Sequence, residues 1–519
     1  MDKGGIRLLP AFLSVGAWTL VSRVLGLARD IVMAALLGTG PVAQAFLIAF
    51  TLPNMFRRFF AEGAFNLAFV PMFAKKLEGG EDAEGFARDA LSGLGFVLLL
   101  FTIAGQIAMP WLVLAMASGF AGDERFTLSV EHGRIAFPYI LLISLTALLS
   151  GVLNSLGRFA LPAAAPILMN VVMIAFLLVG WWTDGNIGLW QIWSVPVAGL
   201  AQLALVWWGC AKAGMPVLPR RPRLTPEMKR LTVIMVPALL AGGVVQINLL
   251  VGRQVASFFD GAVAWLSYAD RLYQLPLGVV GIAIGIVLLP DLSRRLKAGD
   301  GSGGRDAINR ATELTLALTL PATVALLVIP GPIVSVLFER GAFTAADTLP
   351  TALAVAVYGA GLPAFVMQKV LSPLYYARED TRSPFRFAVW AMLVNAALAL
   401  GLAPLIGFIA AALGTTVAGW TMLWQLWHGT KPMGDTAAAD ARLRRTAPRI
   451  ALSSVLMGAV LLAAARLLAP LLADPLHRYA ALALLVAIGI AAYAAAVFAT
   501  GGMRLADLRA AMRRPPPPA

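Results

Sequence analysis

The chain has 519 residues, 59% of them hydrophobic and only 13% charged, against about 25% charged in soluble domains. Mean hydropathy is +0.80, and apolar runs of roughly the 20 residues a helix needs to cross a bilayer recur from end to end. This excludes a soluble protein carrying one anchor, and the ten-residue alternation of a membrane barrel is missing. Cys210 is the single cysteine, so no internal disulfide can form.

Fourteen spans are predicted in chain order: 8–37, 42–74, 88–117, 134–156, 160–182, 187–211, 230–258, 262–292, 308–337, 347–377, 385–404, 407–427, 450–470 and 479–499. They specify an all-α polytopic membrane protein. The first run holds Arg23, Arg29 and Asp30, which a signal-peptide core would not, and it has no clear small-residue cleavage site; it reads as retained. With the N-terminus in the cytoplasm, 29 of the 41 lysines and arginines fall in cytoplasmic segments or the span ends bordering them, five in outer loops or the span ends bordering them, and seven deeper within spans. The positive-inside rule then gives an N-in, C-in topology. It also accounts for most of the +14 charge without nucleic acid. His132, His428 and His477 lie far apart and read as loop or interface residues, not a metal site.

The chain repeats itself. Five prolines recur in the same order at offsets of 219 to 227 residues: Pro10 with Pro237, Pro53 with Pro276, Pro71 with Pro290, Pro110 with Pro332, and Pro138 with Pro363. Each unit holds six spans, an even number, so the repeat is parallel, with a substrate path expected between its halves. The expected division is a six-helix lobe at 1–211, a cytoplasmic linker at 212–229, a second six-helix lobe at 230–430, a basic linker at 431–449, an extra helix pair at 450–502 and a disordered tail at 503–519. Matched prolines, and Gly26 within the first span, read either as ordinary kinks or as points about which each lobe rocks.

Ionisable side chains inside spans are expensive and mark function by default. Arg23 and Asp30 are seven apart and project within about 20° of each other, with Arg29 about 120° from Arg23. Span 2 adds Arg57, Arg58 and Glu62, of which Arg58 and Glu62 are four apart and able to pair. Span 8 adds Asp270 and Arg271. These residues either pair and snorkel or, for the deeper Arg29, Asp30 and Arg271, line a hydrated cavity. Five arginines against three acids leave a positive surplus, and guanidinium forks suit phosphate. The ligand inferred is a phosphorylated anion. Lys369 and Arg253 are ambiguous. No GxxxxGK[ST] loop for ATP and no HExxH or GxSxG centre occurs, so neither cofactor nor catalytic chemistry is expected.

Three stretches carry a resemblance: "SRVLGLARD" at 22–30, "LPNMFRRFFAEGAFNLAFVP" at 52–71, and "ASFFDGAVAWLSYADRLYQLPLGVVGIAIGIVLLPDLSR" at 256–294. Together they resemble the MurJ/MviN lipid II flippase family of the multidrug/oligosaccharidyl-lipid/polysaccharide exporter superfamily, over essentially the whole chain. The resemblance implies transfer of lipid II, an undecaprenyl-diphosphate disaccharide-pentapeptide, from the inner to the outer leaflet of the bacterial cytoplasmic membrane. It implies substrate contact by Arg23, Arg29, Asp30, Arg57, Arg58, Glu62, Asp270 and Arg271, and a prenyl-tail groove at 450–499. Membrane lipids are the other expected partners.

Two departures bear on coupling. Gln44 and Gln274 stand where relatives often carry acids, and 233–258 holds no acid for a sodium site. The alternatives are an exporter of another prenyl-diphosphate-linked oligosaccharide, a drug exporter, an enzyme acting on prenyl-linked sugars, or a scaffold. The arginine surplus disfavours a drug exporter and a scaffold, and the short outer loops disfavour an enzyme.

Overall fold

The computed structural model describes residues 8–57, 66–297 and 300–503. Eighteen α-helices are named in it: α1 Leu8–Leu37, α2 Pro41–Arg57, α3 Asn66–Glu78, α4 Ala83–Ala117, α5 Glu124–Ala136, α6 Tyr139–Ser155, α7 Ala160–Trp182, α8 Ile187–Lys212, α9 Pro226–Ala256, α10 Ala262–Lys297, α11 Gly301–Val328, α12 Pro330–Phe338, α13 Ala345–Tyr376, α14 Arg382–Ile406, α15 Ile409–Gly429, α16 Ala441–Leu467, α17 Ala469–Ala473 and α18 Arg478–Ala499. Among the described residues, nine helices are long and apolar enough to cross a membrane. The other five expected spans coincide with α1, α2 and α3, α9, α10 and α15. The protein is an all-α, multi-pass membrane protein.

Two details differ from the sequence reading. The span expected at 134–156 is a helix broken after Ala136, with Phe137 and Pro138 joining α5 to α6. His132 is not a loop residue but lies buried within α5. Other prolines are absorbed within a helix: α13 continues through Pro350, Pro363 and Pro373. The expected pairing of Arg58 with Glu62, and the expected tail beyond Met503, fall outside the described residues.

The chain forms two compact units. One comprises Met1–Ser267 with Arg340–Thr344; the other comprises Tyr268–Glu339 with Ala345–Ala519. In the first, the 340–344 turn lies on the end of α1, where the Ala342 amide donates to Ala35 O at 2.8 Å. Two glycines permit that approach. Gly38 (φ 61°) and Gly341 (φ 57°) have left-handed backbones, and a Cβ on Gly38 would stand 2.5 Å from Ala342 O. Inside the same unit, Tyr139 donates to Gln202 Oε1 at 3.1 Å, and Gln202 donates to Ala165 O at 2.9 Å. That chain of bonds ties α6, α7 and α8. Between helices in lipid, such close packing and hydrogen bonding must replace the hydrophobic effect. Large apolar side chains face outward accordingly: Trp111, Trp182, Leu405 and Ile490 are all exposed. In the second unit, α16 and α18 are joined to α11 and α12 through Met457, Leu461, Leu485 and Ile329.

The two basic segments expected as linkers are each fastened to a helix of the same unit, the first to α4 and the second to α11. Asp82 caps α4 by accepting from the Gly85 amide at 2.7 Å, and Asp300 caps α11 by accepting from Gly303 at 2.8 Å. Beyond the first cap, buried Asp89 receives Arg220, whose Nη2 also donates to Gly85 O at 2.9 Å. The Arg220 amide donates to Ser92 Oγ at 2.8 Å. Beyond the second cap, buried Glu313 receives Arg310 at 2.6 Å, Arg442 at 3.2 Å and the Thr446 hydroxyl at 2.9 Å. Asp89 and Glu313, and likewise Arg220 and Arg442, are separated by nearly the offset of the proline repeat.

Candidate substrate-binding site

The first unit brings part of the opening motif into a defined environment. Asn170 on α7 donates to Ser22 O on α1 and to Pro166 O, each at 3.1 Å. This bond sets the register of α7 against α1 and places Met173, about one turn further on, beside Arg29. The Arg29 guanidinium donates through Nε (2.9 Å) and Nη2 (2.7 Å) to one oxygen, Oδ1, of Asp30. Its Nη1 points to Met173 Sδ at 3.5 Å, and its Cζ lies 5.8 Å from the Phe50 ring centroid. Arg29 is 7% exposed and Asp30 5%.

Helical geometry alone places adjacent side chains about 100° apart, so the long arginine stem folds across that angle to reach its neighbour. Burial is the physical reason: an isolated charge here would meet a desolvation cost of several kcal/mol, which only a close counter-charge offsets. The carboxylate of Asp30 keeps Oδ2 outside that fork. Arg23, two turns before Asp30 and beyond buried Gly26, is half-buried. Arg57 is half-buried in the last turn of α2, where a cation complements the helix dipole. Arg58 and Glu62 lie outside the described residues.

Gln44 is buried in the first turn of α2, and its Nε2 donates to Thr39 O at 3.1 Å. A carboxylate in this rotamer would face that carbonyl with no proton to give; the amide supplies one. The second unit shows the matching device at the other departure. Gln274 Nε2 donates to Asp270 Oδ2 one turn away on α10. Asp270 and Arg271 are half-buried, and Tyr273 beside them contacts Tyr358 (5.1 Å) and Phe365 (5.8 Å). At both positions a non-titrating amide occupies a hydrogen bond. Lys369 is exposed and Arg253 half-buried.

Sequence reasoning missed Asn170, Met173 and Phe50, since neutral residues on other helices carry no signal of proximity to α1. It also passed over Asp123 and Arg125. Arg125 is buried, donates from Nε to Asp123 Oδ2 at 2.8 Å, and reaches Asp260 at 3.0 Å. Burial pushes the Asp123 carboxyl up, but the hydrogen bonds and charge of Arg125 more than reverse this and hold it below its ordinary value. The Asp-Glu-Arg run at 123–125 was the available clue.

These charged motifs sit in a chain with clear relatives. The family described as lipid II flippase MurJ matches residues 33–498. A probable lipid II flippase MurJ of Rhizobium tropici is 46% identical over 522 residues, covering 99% of this chain and 98% of the relative. That of Rhizobium meliloti (strain 1021) is 45% identical, covering 98% and 97%. Among solved structures, a lipid II flippase MurJ in an inward closed conformation aligns with a TM-score of 0.78 at 26% identity, over 96% of this chain and 99% of that one. An inward-facing multidrug transporter of the MATE family aligns at 0.69 with 15% identity, over 82% and 98%, a likeness of fold alone. The chain belongs to the lipid II flippase MurJ family.

Proposed function

We propose that this protein moves lipid II from the inner to the outer leaflet of the bacterial cytoplasmic membrane by alternating access, as a transporter and not an enzyme. The observation that carries the reading is the Arg29–Asp30 ion pair, buried within the long first helix of a chain whose relatives bear the flippase name. A guanidinium held by a single carboxylate oxygen is poised to exchange that partner for a diphosphate, which offers two charged groups to a planar fork. Arg23, Arg57, Arg58 and Arg271 extend the positive field toward the headgroup, and Asp30, Glu62 and Asp270 keep those arginines oriented when substrate is away. The lobes at 1–211 and 230–430 alternate about the path, and the pair at 450–502 offers the prenyl tail an apolar surface.

Membrane potential supplies the drive. Gln44 and Gln274 place neutral amides, donating to Thr39 O and to Asp270 Oδ2, where a coupling proton would need an acid, while the substrate carries its own negative charge outward. The topology is N-in and C-in. Cysteines introduced as Asn186→Cys and Thr344→Cys, in a Cys210→Ser background, react with an impermeant thiol reagent from outside; Pro219→Cys and Ser302→Cys do not. Buried Cys210 adds little background even in the parent. The test of the site is growth: in a flippase-depleted cell, Arg271→Ala inserts normally at matched expression but fails to support division. Full rescue by that variant removes Arg271 from the mechanism.

A further inference from the structure

One cavity of about 560 Å³ opens in the first unit, away from the opening motif, where the turn before α2, the start of α5 and the start of α10 meet. Its volume falls in the range of small-ligand sites. Gln44, Asp123, Glu124, Arg125, Asp260 and Trp265 line it. Three carboxylates against one guanidinium make the wall net negative. The guanidinium's charge is already matched, because Asp123 engages its Nε and Nη2 and Asp260 forms an ion pair at 3.0 Å with its Nη1, which makes no hydrogen bond. Asp260 is 94% exposed at its side chain, so that contact leaves most of its carboxylate open.

Gln44 supplies the independent observation. Its side chain belongs to the cavity lining and is 2% exposed; donation to Thr39 O fixes the amide and leaves Oε1 buried with no hydrogen-bond partner. An unsatisfied buried acceptor costs about 1–3 kcal/mol and calls for a donor. A metal ion does not suit the wall: among the described residues no three histidines, cysteines or acids converge to hold one. Acceptors set in a net-negative wall beside Trp265 suit an organic ammonium, which donates to them and whose charge an indole ring also attracts.

We propose that this pocket binds a primary ammonium group, presented either by the headgroup of the transported lipid or by a free amine from the medium. In the N-in topology the pocket opens outward, so it would engage the cation where the headgroup emerges. Binding is read without transport, which keeps this site separable from the flippase reading.

The test uses the full-length protein in nanodiscs. One arm titrates cadaverine, with its di-N-acetyl form as control. The other compares binding of lipid II carrying a free side-chain amine with the same lipid N-acetylated. Asp260→Asn is the main variant, because an exposed carboxylate can be neutralised without disturbing the fold; Gln44→Leu is the second, with melting temperature as its folding check. The expected result is saturable binding in at least one arm, lost on acetylation and weakened fivefold or more by Asp260→Asn. Response in the cadaverine arm alone assigns the site to free amines; response in the lipid arm assigns it to the headgroup. Wild type and Asp260→Asn behaving alike in both arms overturns the proposal.

Discussion

Asp30 and Asp89 are buried to nearly the same degree, 5% and 4% exposed, and each holds an arginine, yet the two pairs do different work. Arg29 is the next residue in the chain, so closing that pair joins nothing that was apart; it neutralises a charge within one helix. Arg220 lies 131 residues from Asp89, so the same contact fastens a linker to α4. The arginines differ too. Arg29 is 8% exposed at its side chain and Arg220 33%, so one is committed to the interior and the other keeps water within reach. Sequence separation decides whether an ion pair shapes the architecture, and the exposure of the cation decides how much its loss costs.

The largest effect separates the two pairs. Arg29→Ala removes the guanidinium fork that buried Asp30 accepts and should destabilise the protein by up to about 3–5 kcal/mol, read as a lowered melting temperature in detergent. The double variant Arg29→Leu with Asp30→Leu should recover most of that stability, since a buried pair replaced by apolar residues is often neutral, yet remain inactive in flipping. Activity in the double variant would show that the pair is only structural.

Arg220→Ala comes next. It strips Asp89 of a charged partner and Gly85 O of a donor, a loss of about 1–3 kcal/mol. Its distinctive readout is local: protease should cut the 213–225 segment faster than in wild type, while the 430–440 segment is unchanged. Arg442→Ala should matter less, within about 1 kcal/mol, because Glu313 keeps Arg310 and the Thr446 hydroxyl. Equal effects at 220 and 442 would contradict the ranking by retained partners.

The smallest effect is a pH dependence outside the spans. Asp123 has a folded pKa below its ordinary value of about 3.9. Its contribution is therefore fully present above that value and fades as pH falls through the lower, folded one. The melting-temperature advantage of wild type over Asp123→Asn should be constant near neutrality and shrink only under strong acid. An advantage lost between pH 5 and 7 would contradict the assignment.

Much of this was legible in the sequence. Apolar run length marked the helices, and the proline repeat gave the offset at which the structure then shows the capping residues Asp82 and Asp300. The wheel angle, by contrast, separated Arg29 from Asp30, because it describes where Cα–Cβ bonds point and not how far a guanidinium can fold back. Asn170 and Met173 were invisible for another reason: which face of α7 meets α1 depends on close packing that no local pattern encodes. The break between α5 and α6 at Phe137 and Pro138 also escaped, since apolar residues continue across it.

The most direct measurement is translocation of labelled lipid II in vesicles containing only this protein, with potential, pH gradient and sodium gradient set independently. Outward movement of an anion gains about 2.3 kcal/mol per charge at 100 mV. Two uncompensated charges would bias the distribution by up to about 2,000-fold, with 1.4 kcal/mol per factor of ten. Lipid II should move toward the positive side when potential alone is imposed, and Arg29→Leu with Asp30→Leu should abolish the movement. No translocation by wild type, or translocation that ignores potential and collapses when sodium or the pH gradient is withdrawn, would contradict that expectation.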